Sequence, residues 1–426
     1  MRLSRKARIA AVAILATLLV VLAVLNLSLG DKQIDRQLGH LYATADPQFL
    51  RTMGVLLGPP LVEGNAVREL VNGDRIFPAM LAAIRGAQRS ITFETYIYWS
   101  GTIGKAFADA LAERARNGVK VHVLLDWIGS EKIDPAYLKE MEAAGVHLRR
   151  YNRPQWYTIH RLNNRTHRKL LVVDGAVGFT GGVGVADEWL GDAQDPQHWR
   201  DTHFRLEGPA AGQMQAAFLD NWTQATGEIL HGSDYFPALQ PRGGSYAQVF
   251  VSSPGGGSES MQLMYLLAIT AATGSIKLSM SYFVPDEVAI RTFVSAMRRG
   301  VKVQIITPGR HTDTEVVRKA SRAKWGELLR AGAEIYEYQP TMYHCKVLIV
   351  DDVFVSVGST NFDNRSFAVN DEANLNVYDA HFARRQAEVF AADLAKSRRI
   401  TLEAWAGRPW QEKLMEHASG LLGSQL

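Results

Sequence analysis

The sequence predicts an α/β protein of two related lobes with mixed sheets around one shared site, preceded by a single membrane-spanning helix. Three observations lead there. The pattern His-x-Lys-x-x-x-x-Asp occurs twice, as HRKLLVVD (His167, Lys169, Asp174) and as HCKVLIVD (His344, Lys346, Asp351). A β-α-β-α-β succession repeats around each copy, the order expected of α/β lobes. A charge-free apolar run opens the chain.

That run extends from Ile9 to about Leu29, behind Arg2, Arg5, Lys6 and Arg8 and ahead of Asp31. It is long enough to cross a bilayer. The basic flank precedes it, so the positive-inside rule keeps the N-terminus in the cytoplasm and sends the rest outward. The expectation is a single-pass membrane protein with the rest of the chain outside the cytoplasm. A cleaved signal peptide is the alternative, for which LNLSLGDK is a poor cleavage site; a cytoplasmic catalytic part is also open. The expected organisation is an anchor over 1–30, a connecting segment over 31–60, lobe one over 61–232, a linker over 233–246 and lobe two over 247–426.

The two lobes match segment by segment. SITFETYIYW (Ser90 to Trp99) parallels SIKLSMSYFV (Ser275 to Val284), both strand-like. Helices follow over Ile103 to Asn117 and Glu287 to Arg299, with Gly118 and Gly300 placed as C-caps. NGVKVHVLLD and RGVKVQIITP are the next strands, and AAGVHLRRY and RAGAEIYEY the ones after. Closing helices fall at Met214 to Trp222 and Gln386 to Leu394. The stretch SDYFPALQPRGGSY reads as a linker, and SSPGGGS (Ser252 to Ser258) as a loop without the Lys-Ser/Thr sequel of a P-loop. RPQWYTIHRLNNR (Arg153 to Arg165) has no counterpart of equal length and suits a basic, aromatic rim loop at a membrane interface or a solvated loop. RKASRAKWGELLR (Arg318 to Arg330) reads as the outer face of a helix.

The spacing within each motif carries chemistry. Residues i and i+2 of a strand share a face, so each His projects with its Lys. An imidazole can attack phosphorus or protonate a leaving oxygen, and an ammonium stabilises charge on phosphoryl oxygens. The residues alone leave open which histidine does which. Asp174 and Asp351 complete the signature and fall at the strand ends as turn or salt-bridge residues. Each histidine needs an acidic partner, and position selects Asp201 in WRDTH and Glu372 in NDEANL.

Composition narrows the rest. The 426 residues are 47% hydrophobic and 21% charged, as in a globular protein, with net charge +4. The lone cysteine, Cys345, excludes an intrachain disulfide and reads as a buried structural thiol. No Cys/His cluster has zinc-ligand spacing, and neither a metal nor another cofactor is expected.

With GSTNFDNRS (Gly358 to Ser366), NDEANL (Asn370 to Leu375), GGVGVADEW (Gly181 to Trp189) and HWRDTHFRLEGPA (His198 to Ala210), the chain resembles the phospholipase D superfamily, most closely its bacterial cardiolipin synthase branch. The resemblance covers roughly residues 60 to 400. It implies a phosphohistidine intermediate, with His167 as nucleophile and His344 as general acid/base. It places Lys169 and Lys346 on the non-bridging oxygens and Asn361 at a phosphate-binding position, with Ser359 beside it. The first-half counterpart of Asn361 is Gly184, a departure that makes the site asymmetric. The implied activity is phosphatidyl transfer on a phospholipid, giving cardiolipin and glycerol from phosphatidylglycerol. A phospholipase D hydrolase, a nuclease and a non-catalytic lipid-binding protein are the competing readings. The implied partners are phospholipid and membrane rather than nucleic acid, and both motifs in one chain are compatible with a monomer.

Overall fold

The computed structural model describes residues 4–28, 34, 36–153, 164–254 and 258–420. It divides into two units, Met1–Asp35 and Arg36–Leu426. The first holds one helix, Arg5–Ser28, of 24 residues. The expected span Ile9 to Leu29 coincides with it, but the side chains beyond residue 21 lie outside the described ones. Among the described residues no helix is long and apolar enough to cross a membrane.

The second unit is a mixed α/β fold on one sheet of 15 strands. Seven come from the first half: β1 (Val62–Val71), β2 (Ser90–Thr95), β3 (Lys120–Asp126), β4 (His147–Tyr151), β5 (Leu170–Val173), β6 (Val177–Gly181) and β7 (Thr202–Glu207). Eight come from the second: β8 (Ser245–Ser252), β9 (Ser275–Met280), β10 (Lys302–Pro308), β11 (Glu334–Tyr338), β12 (Lys346–Val350), β13 (Phe354–Gly358), β14 (Glu372–Tyr378) and β15 (Ser397–Ile400). From the central antiparallel pair β1–β8, the order outward is β7-β6-β5-β2-β3-β4 on one side and β14-β13-β12-β9-β10-β11-β15 on the other. Strands β2–β3–β4 and β9–β10–β11 run parallel, joined by helical crossovers; the flanking pairs are antiparallel hairpins and returns. The two sheets expected of separate lobes are thus one. The join is made by β1 and β8, the first strand of each half, which pair with each other as well as with β7 and β14.

Alternation explains the apolar runs behind each motif. Leu171 and Val173 face a core shared with the helices Gly73–Gly86 and Thr102–Arg116. Leu170 and Val172 face the other way, into a core with Val347, Ile349, Val355 and Val357 of the second half. Strands buried on both faces read as continuous hydrophobics rather than alternating ones. The helix Thr102–Arg116 ends at Gly118, and Glu287–Arg298 at Gly300, each at positive φ (84° and 94°) where only glycine is unstrained.

The expected strands and the 318–330 helix differ in the structure. The strands over Ser90 to Trp99 and Ser275 to Val284 stop at Thr95 and Met280, because the residues after them leave the sheet to line the site. The 233–246 stretch packs Tyr235 among Phe218, Trp222 and Leu124. The helix Glu315–Arg330 is not merely an outer face: Trp325 is buried, and Arg318 and Arg322 pair with the buried Glu337. Most of the 153–165 loop and the centre of the 252–258 loop lie outside the described residues.

Candidate active site

His167 and His344 sit just ahead of β5 and β12 rather than inside them. Their backbone amides leave the local ladder and cross to the other half. His167 N–H donates to Asp371 O (2.9 Å), and His344 N–H to Arg200 O (2.8 Å). Residues 166 and 371, and likewise 200 and 343, pair as neighbouring backbone segments. Each lysine curls back on its own motif. Lys169 Nζ donates to His167 O (2.7 Å) and Lys346 Nζ to His344 O (2.8 Å).

The acidic partners cross as well. His167 Nδ1 lies 2.9 and 3.0 Å from the two carboxylate oxygens of Glu372, and His344 Nδ1 lies 2.7 Å from Asp201 Oδ2. Each half orients the histidine of the other. With Nδ1 turned to a carboxylate, Nε2 is the nitrogen available for chemistry. Glu372 also accepts from the Ser359 hydroxyl. Asp201 accepts from Trp189 Nε1 (3.0 Å) and Thr202 N (2.8 Å).

Both histidines and Lys169 line one cavity of about 160 Å³, with Tyr96, Arg165, Trp189, Trp199, Tyr282, Asp313, Asn361 and Arg365 also on its wall. Burial lowers His167 well below the usual imidazole range, and the charges of Lys169 and Lys346 lower it further. Burial and Lys346 also lower His344, but Asp201 opposes them. The two carboxyls diverge. Burial raises Glu372 above the usual carboxylate range. Burial pushes Asp201 the same way, yet the adjacent His344 and Lys346 hold it below that range. Burial depresses Lys169 and Lys346, with Glu372 and Asp201 acting in the opposite sense.

The remaining expected site residues divide. Asn361 lines the cavity and accepts from Ser281 Oγ (2.7 Å), which itself accepts from Lys346 Nζ (2.8 Å). In the first half Gly184 stands at this position because a Cβ would come within 2.8 Å of Ile97 Cβ. Ser359, expected beside the phosphate, is fully buried and committed to Glu372 and Ala373. It supports a partner carboxyl instead of lining the cavity. Asp174 and Asp351 occupy the far ends of β5 and β12 and do not line it either. Asp174 accepts from the amides of Gln88, Arg89 and Ser90, and Asp351 from those of Thr273, Gly274 and Ser275. They fasten the starts of β2 and β9. Cys345 is buried against Thr202 and Arg200 O, and burial pushes its thiol up to about 12. Among the described residues no group of three or more His, Cys, Asp or Glu side chains is placed to hold a metal ion.

The motifs do not mark Tyr96, Trp199, Tyr282, Asp313 or the buried Arg200–Asp393 pair. Trp199 and Arg200 precede Asp201 directly, which is the one local signal. Arg200 Nε and Nη2 meet Asp393 at 2.9 and 2.8 Å, and Tyr343 Oη donates to Asp393 (3.0 Å). This clamp holds the residues preceding both Asp201 and His344. Replacing Asp393 by alanine strands a buried guanidinium and is expected to cost roughly 3–5 kcal/mol. Thermal or urea unfolding of the purified variant measures the loss.

This mixed sheet, with a histidine from each half in one cavity and each motif lysine bonded back to its own histidine, is the architecture of a phospholipase D-like enzyme. The family model for "Cardiolipin synthase, PLD-like domain" matches residues 80–193 and 265–394, and the chain belongs to that family. It is 36% identical over 355 residues to cardiolipin synthase A of Pseudomonas fluorescens, covering 83% of this chain and 74% of that one. It is equally 36% identical, over 363 residues, to the major cardiolipin synthase ClsA of Bacillus subtilis (84% and 75% covered). Phosphatidylserine synthase of Haemophilus influenzae shares the fold, with a TM-score of 0.70 at 11% identity, over 89% of this chain and 100% of that one.

Proposed function

We propose that this chain is a cardiolipin synthase that transfers a phosphatidyl group from one phosphatidylglycerol to another, releasing glycerol. The observation that carries the reading is the pair of imidazoles in one cavity, each fixed by a buried carboxyl from the opposite half. The names of the 36%-identical relatives support the choice of reaction.

In the first step His167 Nε2 attacks phosphorus. The N–P bond forms as the P–O bond to glycerol breaks, and His344 gives that oxygen its proton. In the second step His344 takes the proton of the incoming hydroxyl, whose oxygen attacks phosphorus and expels His167. The electrostatics support this division of labour. His167 is the more strongly depressed and stays neutral, as a nucleophile must. His344 faces the carboxylate held in its charged form and is better placed to carry a proton. Lys169, Lys346 and Asn361 would bind the non-bridging oxygens. The cavity is smaller than the ~300–1,000 Å³ typical of pockets that enclose a whole ligand. It therefore admits a headgroup while the acyl chains stay outside.

The apolar run Ile9 to Leu29 supports a single-pass anchor with an extracytoplasmic body. The duplicated motif supports repeats over 61–232 and 247–426 and is compatible with a monomer. A reporter fused after Leu426 tests the orientation. For the reaction, purified protein is incubated with phosphatidylglycerol vesicles and the lipids are analysed. Cardiolipin with an equivalent of glycerol is the expected product pair. Phosphatidic acid instead would make the protein a hydrolase, and DNA cleavage without lipid turnover a nuclease.

A further inference from the structure

The cavity is not symmetric about phosphorus, and the asymmetry bears on which alcohol is accepted. On the His344 side, Lys346 binds Ser281 Oγ, and the next residue, Tyr282, faces the cavity. Tyr282 is anchored through its carbonyl, which accepts from Phe362 N (3.0 Å). Its phenol donates to the Asp313 carboxylate, which also lines the cavity. The first-half counterpart of Tyr282, counted from the matched Ser90 and Ser275, is the apolar Ile97. No matching hydroxyl–carboxylate pair is therefore expected there.

Two aromatic rings line the same cavity beside His344. Trp189 and Trp199 lie 5.3 and 5.5 Å from the His344 ring, centroid to centroid, and both line the cavity. The Trp189 indole N–H is committed to Asp201, so its ring offers only an apolar face. A carboxylate and aromatic rings in one cavity suit a small polyol, whose hydroxyls donate to the one while its C–H surface rests on the other. An ammonium headgroup suits the place less, because Lys169, Arg165 and Arg365 line the same cavity.

We infer that Asp313, oriented by Tyr282, is the specificity-determining group that accepts hydrogen bonds from the free hydroxyls of the polyol leaving or entering at phosphorus. The inference rests on the phosphatidyltransferase reading, which puts both alcohols on the side of the general acid. Asp313 also favours the protonated form of His344, consistent with its lying on that side.

The test is a competition within one reaction. Full-length protein acts on phosphatidylglycerol vesicles with equal concentrations of added glycerol-d5 and 1-propanol, and the two phosphatidyl-alcohols are quantified. The ratio is independent of how much active enzyme each preparation holds. Wild type is expected to favour glycerol. In Asp313→Ala that preference falls about tenfold, the order of one charge-assisted hydrogen bond; in Tyr282→Phe it falls in the same direction. An unchanged ratio in Asp313→Ala and Asp313→Asn, with wild-type transfer intact, overturns this inference alone. So does a wild-type preference for ethanolamine over glycerol in a parallel competition, which would mark an ammonium site. Cardiolipin formed with neither phosphatidyl-alcohol overturns this inference alone, and a wild-type protein that makes neither cardiolipin nor a phosphatidyl-alcohol overturns the transferase reading and this inference with it.

Discussion

Replacing His167 by alanine is expected to lower phosphatidyl transfer by at least ~10⁴-fold, because it removes the nitrogen assigned to form the covalent intermediate. His344→Ala is expected to lose a comparable amount on phosphatidylglycerol, whose glycerol leaves poorly without a proton. The two variants separate on a phosphodiester with a p-nitrophenolate leaving group. That group departs unprotonated, so His344→Ala should release it in a burst and accumulate protein phosphorylated at His167. His167→Ala should show no burst. Mass spectrometry of the quenched protein locates the adduct. An adduct on residue 344 in the His167 variant would reverse the assignment. Full turnover in either variant would remove the two-histidine mechanism.

The second large effect concerns the acid partners. Asp201→Asn keeps the shape beside His344 and removes the charge. Asp201 is ionised in the folded protein and sits 2.7 Å from His344 Nδ1, so it supports the imidazolium. Without it the His344 proton is lost at lower pH. The sign follows: the alkaline limb of kcat/KM should move to lower pH, by roughly one to two units for a hydrogen bond of ~1.5–3 kcal/mol to a charged group. The maximal rate should fall ~10²–10⁴-fold, as when a carboxylate orienting a catalytic imidazole is lost. Glu372→Gln should behave differently. His167 acts in its neutral form and is already well below the usual imidazole range. Lowering it further leaves the acid limb where no essential group is lost. The expected result is a slower enzyme with its pH limits in place, and pH–rate profiles of the two variants make the comparison.

The chemistry of the site was more legible in the sequence than its geometry. His167, Lys169, His344 and Lys346 announce themselves because one spacing occurs twice, and Asp201 and Glu372 follow from matched placement. That each carboxyl serves the opposite histidine has no local signature. It depends on how residues 166 and 200 of one half lie beside 371 and 343 of the other. The single sheet was hidden for the same reason: β1 and β8 precede the segments matched by sequence, so no pattern comparison marks their pairing. Ser359 looked like a phosphate ligand from its place in GSTN, but its hydroxyl is taken by Glu372. Tyr96 to Trp99 read as strand because β-branched and aromatic residues favour strands. They leave the ladder because the cavity wall uses them. Asp313 lies in an irregular loop, where neither period nor motif singles out a residue.

The crossed pairing of histidines and carboxyls makes wholeness a condition of activity. Cut the chain before Ser245, and each fragment retains an imidazole yet forfeits the acid that aims it, together with the carbonyl that receives its amide. Neither piece, however well folded, holds a finished catalytic dyad. Only the two pieces together supply both at once.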